Sequence, residues 1–277
     1  MTSLLETPTW VDTNVAPAGA APVGVRLYPA AAQGTAKALV LHLHGGAFVG
    51  GSPAGSAAVA RLFNGAGAVV ASVDYPLAPA HPFPHAAEAA FGALQWLDGQ
   101  RRRLGAVQAP LFVAGEDAGG NLAAALALMT RDRGGPALAG QMLLSPMLDA
   151  CVGTASQRNA GNGPVGCPCA DGWRAYLSQT ADFFHPYAVP AASLRLAGLP
   201  PTLLVTAQDD PLRDETLAFA RRLREAGVAV QAPVLAAPTG WPRSYADAGS
   251  DTPWSNALAV LIHDFMFDTD TTQGSLS

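Results

Sequence analysis

The sequence is poor in charge, in lysine and in cysteine. Only 13% of its 277 residues are charged, against a usual ~25%. Lys37 is the single lysine beside fifteen arginines, a bias that, with the alanine richness, fits genome base composition better than function. The net charge is −5. The densest basic run, Arg101-Arg102-Arg103, reads as the solvated end of a helix. It is too short to track a phosphate backbone, so no nucleic-acid partner is expected. Three cysteines, Cys151, Cys167 and Cys169, leave an odd number, and Cys-Pro-Cys is too tight for an ordinary disulfide. A reduced, cytoplasmic setting fits that usage. No set of ligands shows metal-site spacing, so neither a metal nor a cofactor is expected. No apolar window reaches the ~18 uninterrupted residues of a membrane span. The N-terminus lacks a basic region followed by an apolar block, so no secretory signal is expected.

What is present is apolar and turn-rich. Hydrophobic residues make up 49%, with 29 glycines and 23 prolines. A chain of this length buries roughly 75% of its unfolded surface, which suits a single domain over residues 1–277. Short apolar runs alternate with helical patterns. Strands are expected at Val23–Tyr28, Ala38–His42, Ala68–Asp74, Leu111–Ala114, Gln141–Leu144, Thr202–Thr206 and Ala229–Leu235. Helices are expected at Pro84–Leu104, Ala118–Arg131, Pro211–Ala226 and Ser255–Met266. Continuous apolar strands alternating with helices predict an α/β fold, with a mostly parallel sheet covered on both faces. Residues 1–22 read as irregular. Residues 148–190 break the alternation, with only Asp171–Ser178 helical in pattern; the stretch is too long for a simple connection and is expected to lie over the site.

Three segments fall just past predicted strands, where open parallel sheets place their ligands. His44-Gly45-Gly46-Ala47-Phe48 carries two adjacent glycines that let backbone N–H groups approach a carbonyl oxygen, as an oxyanion hole requires. Gly115-Glu116-Asp117-Ala118-Gly119-Gly120-Asn121 joins a strand to an Ala-rich helix. Small residues around Asp117 permit a sharp turn that presents its side chain above the sheet, over a helix N-terminus that favours negative charge. Asp209-Asp210-Pro211-Leu212-Arg213-Asp214-Glu215 places an acid at a helix start, which is also how a plain N-cap with Pro at N1 looks.

Together these motifs resemble the hormone-sensitive-lipase-like branch of the α/β-hydrolase fold, from about Val25 to Phe265. His44-Gly45-Gly46-Ala47 is similar to the family's HGGG oxyanion motif. The run from Asp74 to Pro84, DYPLAPAHPFP, is similar to its DYRLAPEHPFP segment. Asp210-Pro211-Leu212-Arg213-Asp214-Glu215 resembles the segment of the catalytic acid, which makes Asp210 that acid. The resemblance implies an α/β-hydrolase fold with a reduced cap, built from about 1–22 and 148–190, and it leaves a homodimer through the sheet edge or last helix open.

The departures from the pattern matter more. The family's nucleophile motif is GDSAG, and here the elbow residue is Asp117 rather than serine. Its base is a histidine before Gly-Phe; here the place reads Ala236-Ala237-Pro238-Thr239-Gly240-Trp241, with no histidine near. Among the remaining histidines, His44 and His81 sit inside family motifs, His42 lies in a buried strand, His85 begins a helix and His263 is expected to be partly buried. His185 lies near the end of the 148–190 stretch and is expected to be able to reach the pocket.

The expected site is therefore Asp117 with Asp210 as second carboxylate; Gly45, Gly46 and Ala118 as backbone donors; and His44, Ala47, Glu116, Thr239, Trp241 and His185 around the pocket. Helix-terminal and loop amides favour an ionised Asp117, whose carboxylate would even occupy the oxyanion hole, while desolvation would raise Asp210. This predicts a cofactor-independent, non-hydrolytic enzyme, acting on an apolar small molecule by cyclisation, elimination or isomerisation with Asp117 as general base. Two alternatives stand beside it. One is a non-catalytic small-molecule binder, as in plant gibberellin receptors of the same family. The other is a hydrolase with an Asp nucleophile, or with residual carboxylic-ester hydrolysis.

Overall fold

A computed structural model describes residues 10–16, 22–30, 36–160, 167–248 and 251–267. Among these, nine strands form one sheet in the order β1-β2-β4-β3-β5-β6-β7-β8, with β9 also pairing β7. The strands are β1 (Val11–Val15), β2 (Val23–Tyr28), β3 (Ala38–Leu43), β4 (Ala68–Asp74), β5 (Leu111–Glu116), β6 (Gly140–Leu144), β7 (Thr202–Ala207), β8 (Val230–Gln231) and β9 (Val234–Leu235). β1 and β2 run antiparallel to their neighbours, and every other pairing is parallel.

Alternation along the strands supplies two cores. On β3, Leu39, Leu41 and Leu43 face the core shared with α2 (His85–Gly99), α3 (Ala118–Arg133) and α6 (Arg213–Glu225). Ala38 and Val40 face the opposite core, under α1 (Ala57–Gly65) and α7 (Pro253–Phe267). Successive residues of a strand point to opposite faces, so each buried parallel strand must be apolar on both. β3, β5, β6 and β7 are buried at every position. The expected α/β-hydrolase fold, with helices on both faces of a mostly parallel sheet, is the one found.

Several elements differ from the expectation. Residues 11–15 are not irregular but form an edge strand in register with β2, which takes them out of the expected 1–22 cap; residues 1–9 lie outside those described. α1 has no counterpart in the sequence reading: it is nine residues long, and no side-chain bond caps its N-terminus. The helix expected over Pro84–Leu104 stops at Gly99, and Arg101 turns back to Asp98 and the Ala109 carbonyl. The strand expected over Ala229–Leu235 is two dipeptides separated by Ala232-Pro233, since proline has no N–H for a ladder. Within 148–190, α4 (Ala155–Asn159) and α5 (Pro168–Tyr176) form; residues 161–166 lie outside those described. His263 is exposed rather than partly buried.

Candidate active site

β5 ends at Glu116 and α3 begins at Ala118, so Asp117 alone makes the turn. Its φ of 54° and ψ of −119° are unusual for a non-glycine residue, and backbone strain of this kind persists only where the surroundings enforce it. Here they do. The Asp117 amide donates to the Leu144 carbonyl at 3.0 Å, and the Asp117 carbonyl accepts from the Met147 amide at 3.0 Å. A Cβ at Gly119 would lie 1.9 Å from the Leu43 carbonyl oxygen, so β3 and α3 approach closely enough to demand glycine there.

The loop after β3 faces this elbow. Tyr75 Oη donates to the His44 carbonyl at 2.7 Å, and the two rings stack at 4.2 Å. His44 Nδ1 donates to the Gly45 carbonyl at 2.8 Å. Gly46 has φ 121°, which no side chain fits. The result is that Asp117 Oδ2 accepts from the Gly46 and Ala47 amides, both at 2.8 Å. Asp117 Oδ1 is buried with no hydrogen-bond partner. The carboxylate thus sits in the amide pocket formed by residues 46 and 47.

The donors differ from those expected. The Gly45 amide does not turn to Asp117; it donates to Glu116 Oε1 at 3.1 Å. Ala47, expected only as pocket lining, is the second donor. Burial pushes Asp117 above the usual carboxylate range. The amides of Gly46, Ala47 and Ala118 oppose that shift, and the charge of Glu116 adds to it. Burial therefore outweighs the amides that the sequence reading took to dominate.

Asp210 is buried at the end of β7. Its Oδ1 accepts from Ser145 Oγ (2.8 Å) and the Leu212 amide (2.9 Å), and its Oδ2 accepts from Thr206 Oγ1 (2.6 Å). Burial raises its pKa as expected, against those three bonds. Asp209, unmarked in the sequence reading, takes the neighbouring loop instead. It accepts from the Thr239 amide and Oγ1 at 2.8 Å each, and from the Gly240 amide at 2.9 Å. Trp241 is buried against Tyr245 and Trp254. Thr239, in the same loop, is buried as well. Tyr245 was also missed: it is buried, and burial with the charges of Asp210, Glu116 and Asp117 keeps its phenol well above its ordinary range. No motif signals it, because it lies in a short 3₁₀ turn at Arg243–Asp247.

α5 covers the oxyanion loop. A Cβ at Gly172 would lie 2.2 Å from the Ala47 carbonyl oxygen, and Phe48 stacks on Tyr176 at 4.0 Å. Cys169, on the same helix, is buried, and burial together with the Asp117 charge pushes its thiol up. His185 packs between Phe83 and Tyr187, its Nδ1 accepting the Tyr187 amide. Among the described residues no group of three or more His, Cys, Asp or Glu side chains is placed to hold a metal ion, and no helix is long and apolar enough to cross a membrane.

A strand–elbow–helix turn at the top of a mostly parallel sheet, opposed by a glycine loop with inward amides, defines an α/β hydrolase. The chain belongs to the family described by the alpha/beta hydrolase fold, whose model matches residues 40–237. It is 36% identical over 222 residues to the esterase LipI of Mycobacterium tuberculosis, covering 78% of this chain and 68% of that protein. It is 35% identical over 198 residues to an arylesterase of Saccharolobus solfataricus, covering 70% and 64%. The chain thus spans about two thirds of the length of these relatives. The hyperthermophilic esterase of Pyrobaculum calidifontis superposes with a TM-score of 0.81 at 35% identity, covering 92% of this chain and 85% of that one.

These likenesses overturn the principal functional expectation. A non-hydrolytic cyclase, lyase or isomerase, like a non-catalytic binder, is not what relatives named as esterases at about 35% identity point to. They point to hydrolysis, which was the other alternative.

Proposed function

We propose that the chain is a carboxylic-ester hydrolase in which Asp117 takes the place of the serine nucleophile. The carrying observation is the asymmetry of that carboxylate: Oδ2 is held by the Gly46 and Ala47 amides, and Oδ1 has no partner. Oδ1 attacks the acyl carbon, expels the alcohol and leaves an acyl–aspartyl anhydride. Water then attacks the Asp117 carboxyl carbon. Negative charge develops on Oδ2, where two N–H donors already stand. The acyl carboxylate departs, Asp117 is restored, and the sum is ester plus water to acid plus alcohol.

The triad is altered at two places, since the sequence has neither a serine at 117 nor a histidine within 236–241. The mechanism follows from that loss. An anhydride yields to water far more readily than an ester, so a base for the second step matters less. No imidazolium protonates the leaving group, so that group must leave as a weakly basic oxygen. Aryl and enol esters fit, and alkyl esters do not. Loss of a nucleophile–base pair costs about 10⁶-fold in a serine hydrolase, so turnover is slow. Residues 148–190, with α5 over the oxyanion loop, act as a small cap in this reading.

The test is hydrolysis of p-nitrophenyl acetate and butyrate by the wild type and by Asp117→Ala. Activity lost in the variant supports the reading; none in either protein sinks it. A single turnover in heavy-oxygen water separates nucleophile from base. The nucleophile acquires label in the Asp117 peptide, whereas a general base leaves the label in the product acid alone.

A further inference from the structure

Glu116 and Asp117 are consecutive buried acids at the end of β5. Two adjacent carboxylates in a dry setting disfavour each other's charge. The structure supplies a hydrogen-bond partner for Glu116, on a strand where the sequence reads only core. His42 lies on β3, fully buried, with Ser72 of β4 beside it in register on one side and Ala114 of β5 on the other. The small Ala114 leaves room for Glu116, two residues on and on the same face, to reach the imidazole.

Both ring nitrogens are engaged. His42 Nε2 donates to Glu116 Oε2 at 2.8 Å, and Nδ1 lies 2.8 Å from Ser72 Oγ. Phe63 of α1 closes the side, its ring 5.9 Å from the imidazole. Glu116 then uses its other oxygen, Oε1, to accept the Gly45 amide. That bond fixes the direction of the His44–Gly45 peptide. The next two amides, of Gly46 and Ala47, point to Asp117 Oδ2. A continuous path runs from Ser72 through His42 and Glu116 to the loop that holds the reacting carboxylate.

We propose that His42 and Glu116 are positioning residues: Glu116 orients the oxyanion loop through the Gly45 amide, and His42 holds Glu116 in place through its Nε2 hydrogen bond. Neither touches the substrate. Burial alone would lift Glu116, but His42, the Ser56 hydroxyl and the Gly45 amide bring it below the usual carboxylate range. The other titratable groups facing it are Asp117 at the elbow, His44 on the loop, Tyr75 after β4 and Tyr245 in the 3₁₀ turn.

This inference rests on Asp117 being the reacting group, and its test is separable from that reading. The probes are the backbone amide proton shifts of Gly46 and Ala47, which report their bonds to Asp117 without turnover, together with kcat and KM for p-nitrophenyl acetate. Glu116→Met removes the acceptor for Gly45. It should move both amide signals upfield and lower kcat by about 10-fold with KM little changed, short of the 10²–10³-fold cost of deleting an oxyanion donor. Glu116→Gln keeps an acceptor and should recover most of both. His42→Gln removes the ring nitrogen that donates to Glu116 Oε2 and should move the same two amides. A purely structural role would lower the melting temperature and leave the shifts in place. Unchanged amides in Glu116→Met overturn the proposal; if that variant does not fold, unchanged amides in His42→Gln do so. If the wild type shows no turnover, the shifts alone decide.

Discussion

The Asp117 carboxylate and the Ala47 amide, seventy residues apart in the chain, meet at 2.8 Å. The contact makes the residue at the elbow the occupant of the amide pocket formed by Gly46 and Ala47. It is possible because β3 and β5 are adjacent parallel strands, in register from Leu39↔Leu111 to Leu43↔Gly115. Their C-terminal ends therefore open onto the same point above the sheet.

Ionised Asp117 is a burden on stability. Burial raises its pKa above the unfolded value of about 3.9. A group raised on folding contributes stability below its unfolded pKa and loses that contribution as pH rises through the folded value. Asp117→Asn has no charge to bury. The variant should melt about 2–4 °C above the wild type at neutral to mildly alkaline pH, the size of one kcal/mol in a chain this long. The gain should shrink as pH falls toward about 4, and ester hydrolysis should be lost throughout. Thermal melts of both proteins across that range check the sign.

Gly46 is the hinge of the amide pocket. A Cβ there would lie 2.3 Å from the Gly50 carbonyl oxygen at a φ of +121°. Gly46→Ala should therefore shift the loop, costing roughly 1–3 kcal/mol of stability. Turnover should fall by roughly 10²-fold as both donors leave Asp117. Denaturant unfolding and ester kinetics on one preparation separate the two effects.

Asp117→Ser restores a hydroxyl at the elbow but no base to take its proton. It should hydrolyse p-nitrophenyl acetate no faster than the wild type. A variant far faster would show that a base is present and would argue against the anhydride route.

Asp209 fastens the loop in front of Trp241. Asp209→Ala leaves the Thr239 and Gly240 amides and Thr239 Oγ1 without their acceptor. The carboxylate is exposed, so solvent screening limits the loss to about 1 kcal/mol. Burial would raise Asp209, but the Gly240 and Thr239 donors bring it below the ordinary range. The wild-type advantage should therefore be present at neutral pH and vanish as pH falls below about 4. Faster hydrogen exchange at the Gly240 amide, with the elbow unchanged, is the direct readout.

Much of the site could be read from residue order. Local sterics demand small residues at 115 and 119 around a sharp turn, so the elbow at Asp117 is legible from spacing alone. The same holds for the paired glycines after β3. Which amide points where is not local. Gly45 turns to Glu116, and Ala47 takes its place at Asp117, because Glu116 is itself held by His42 across two strands. Likewise Asp209 and Asp210 are neighbours of the same type. One caps the 239–240 loop and the other is buried against Ser145, a division set by the turn that follows β7.

The sequence by itself determined the layered α/β architecture, since the periods of its apolar residues allow no other burial, and it determined the residue types at positions 45, 46, 117 and 210. Only the tertiary structure decided that Asp117 Oδ2 is held while Oδ1 has no hydrogen-bond partner, that Thr239 and Trp241 are buried, and that His185 packs between Phe83 and Tyr187. Patterns within one strand or helix are fixed by neighbours along the chain, whereas hydrogen-bond partners are fixed by strand register, which brings together residues that no local pattern relates.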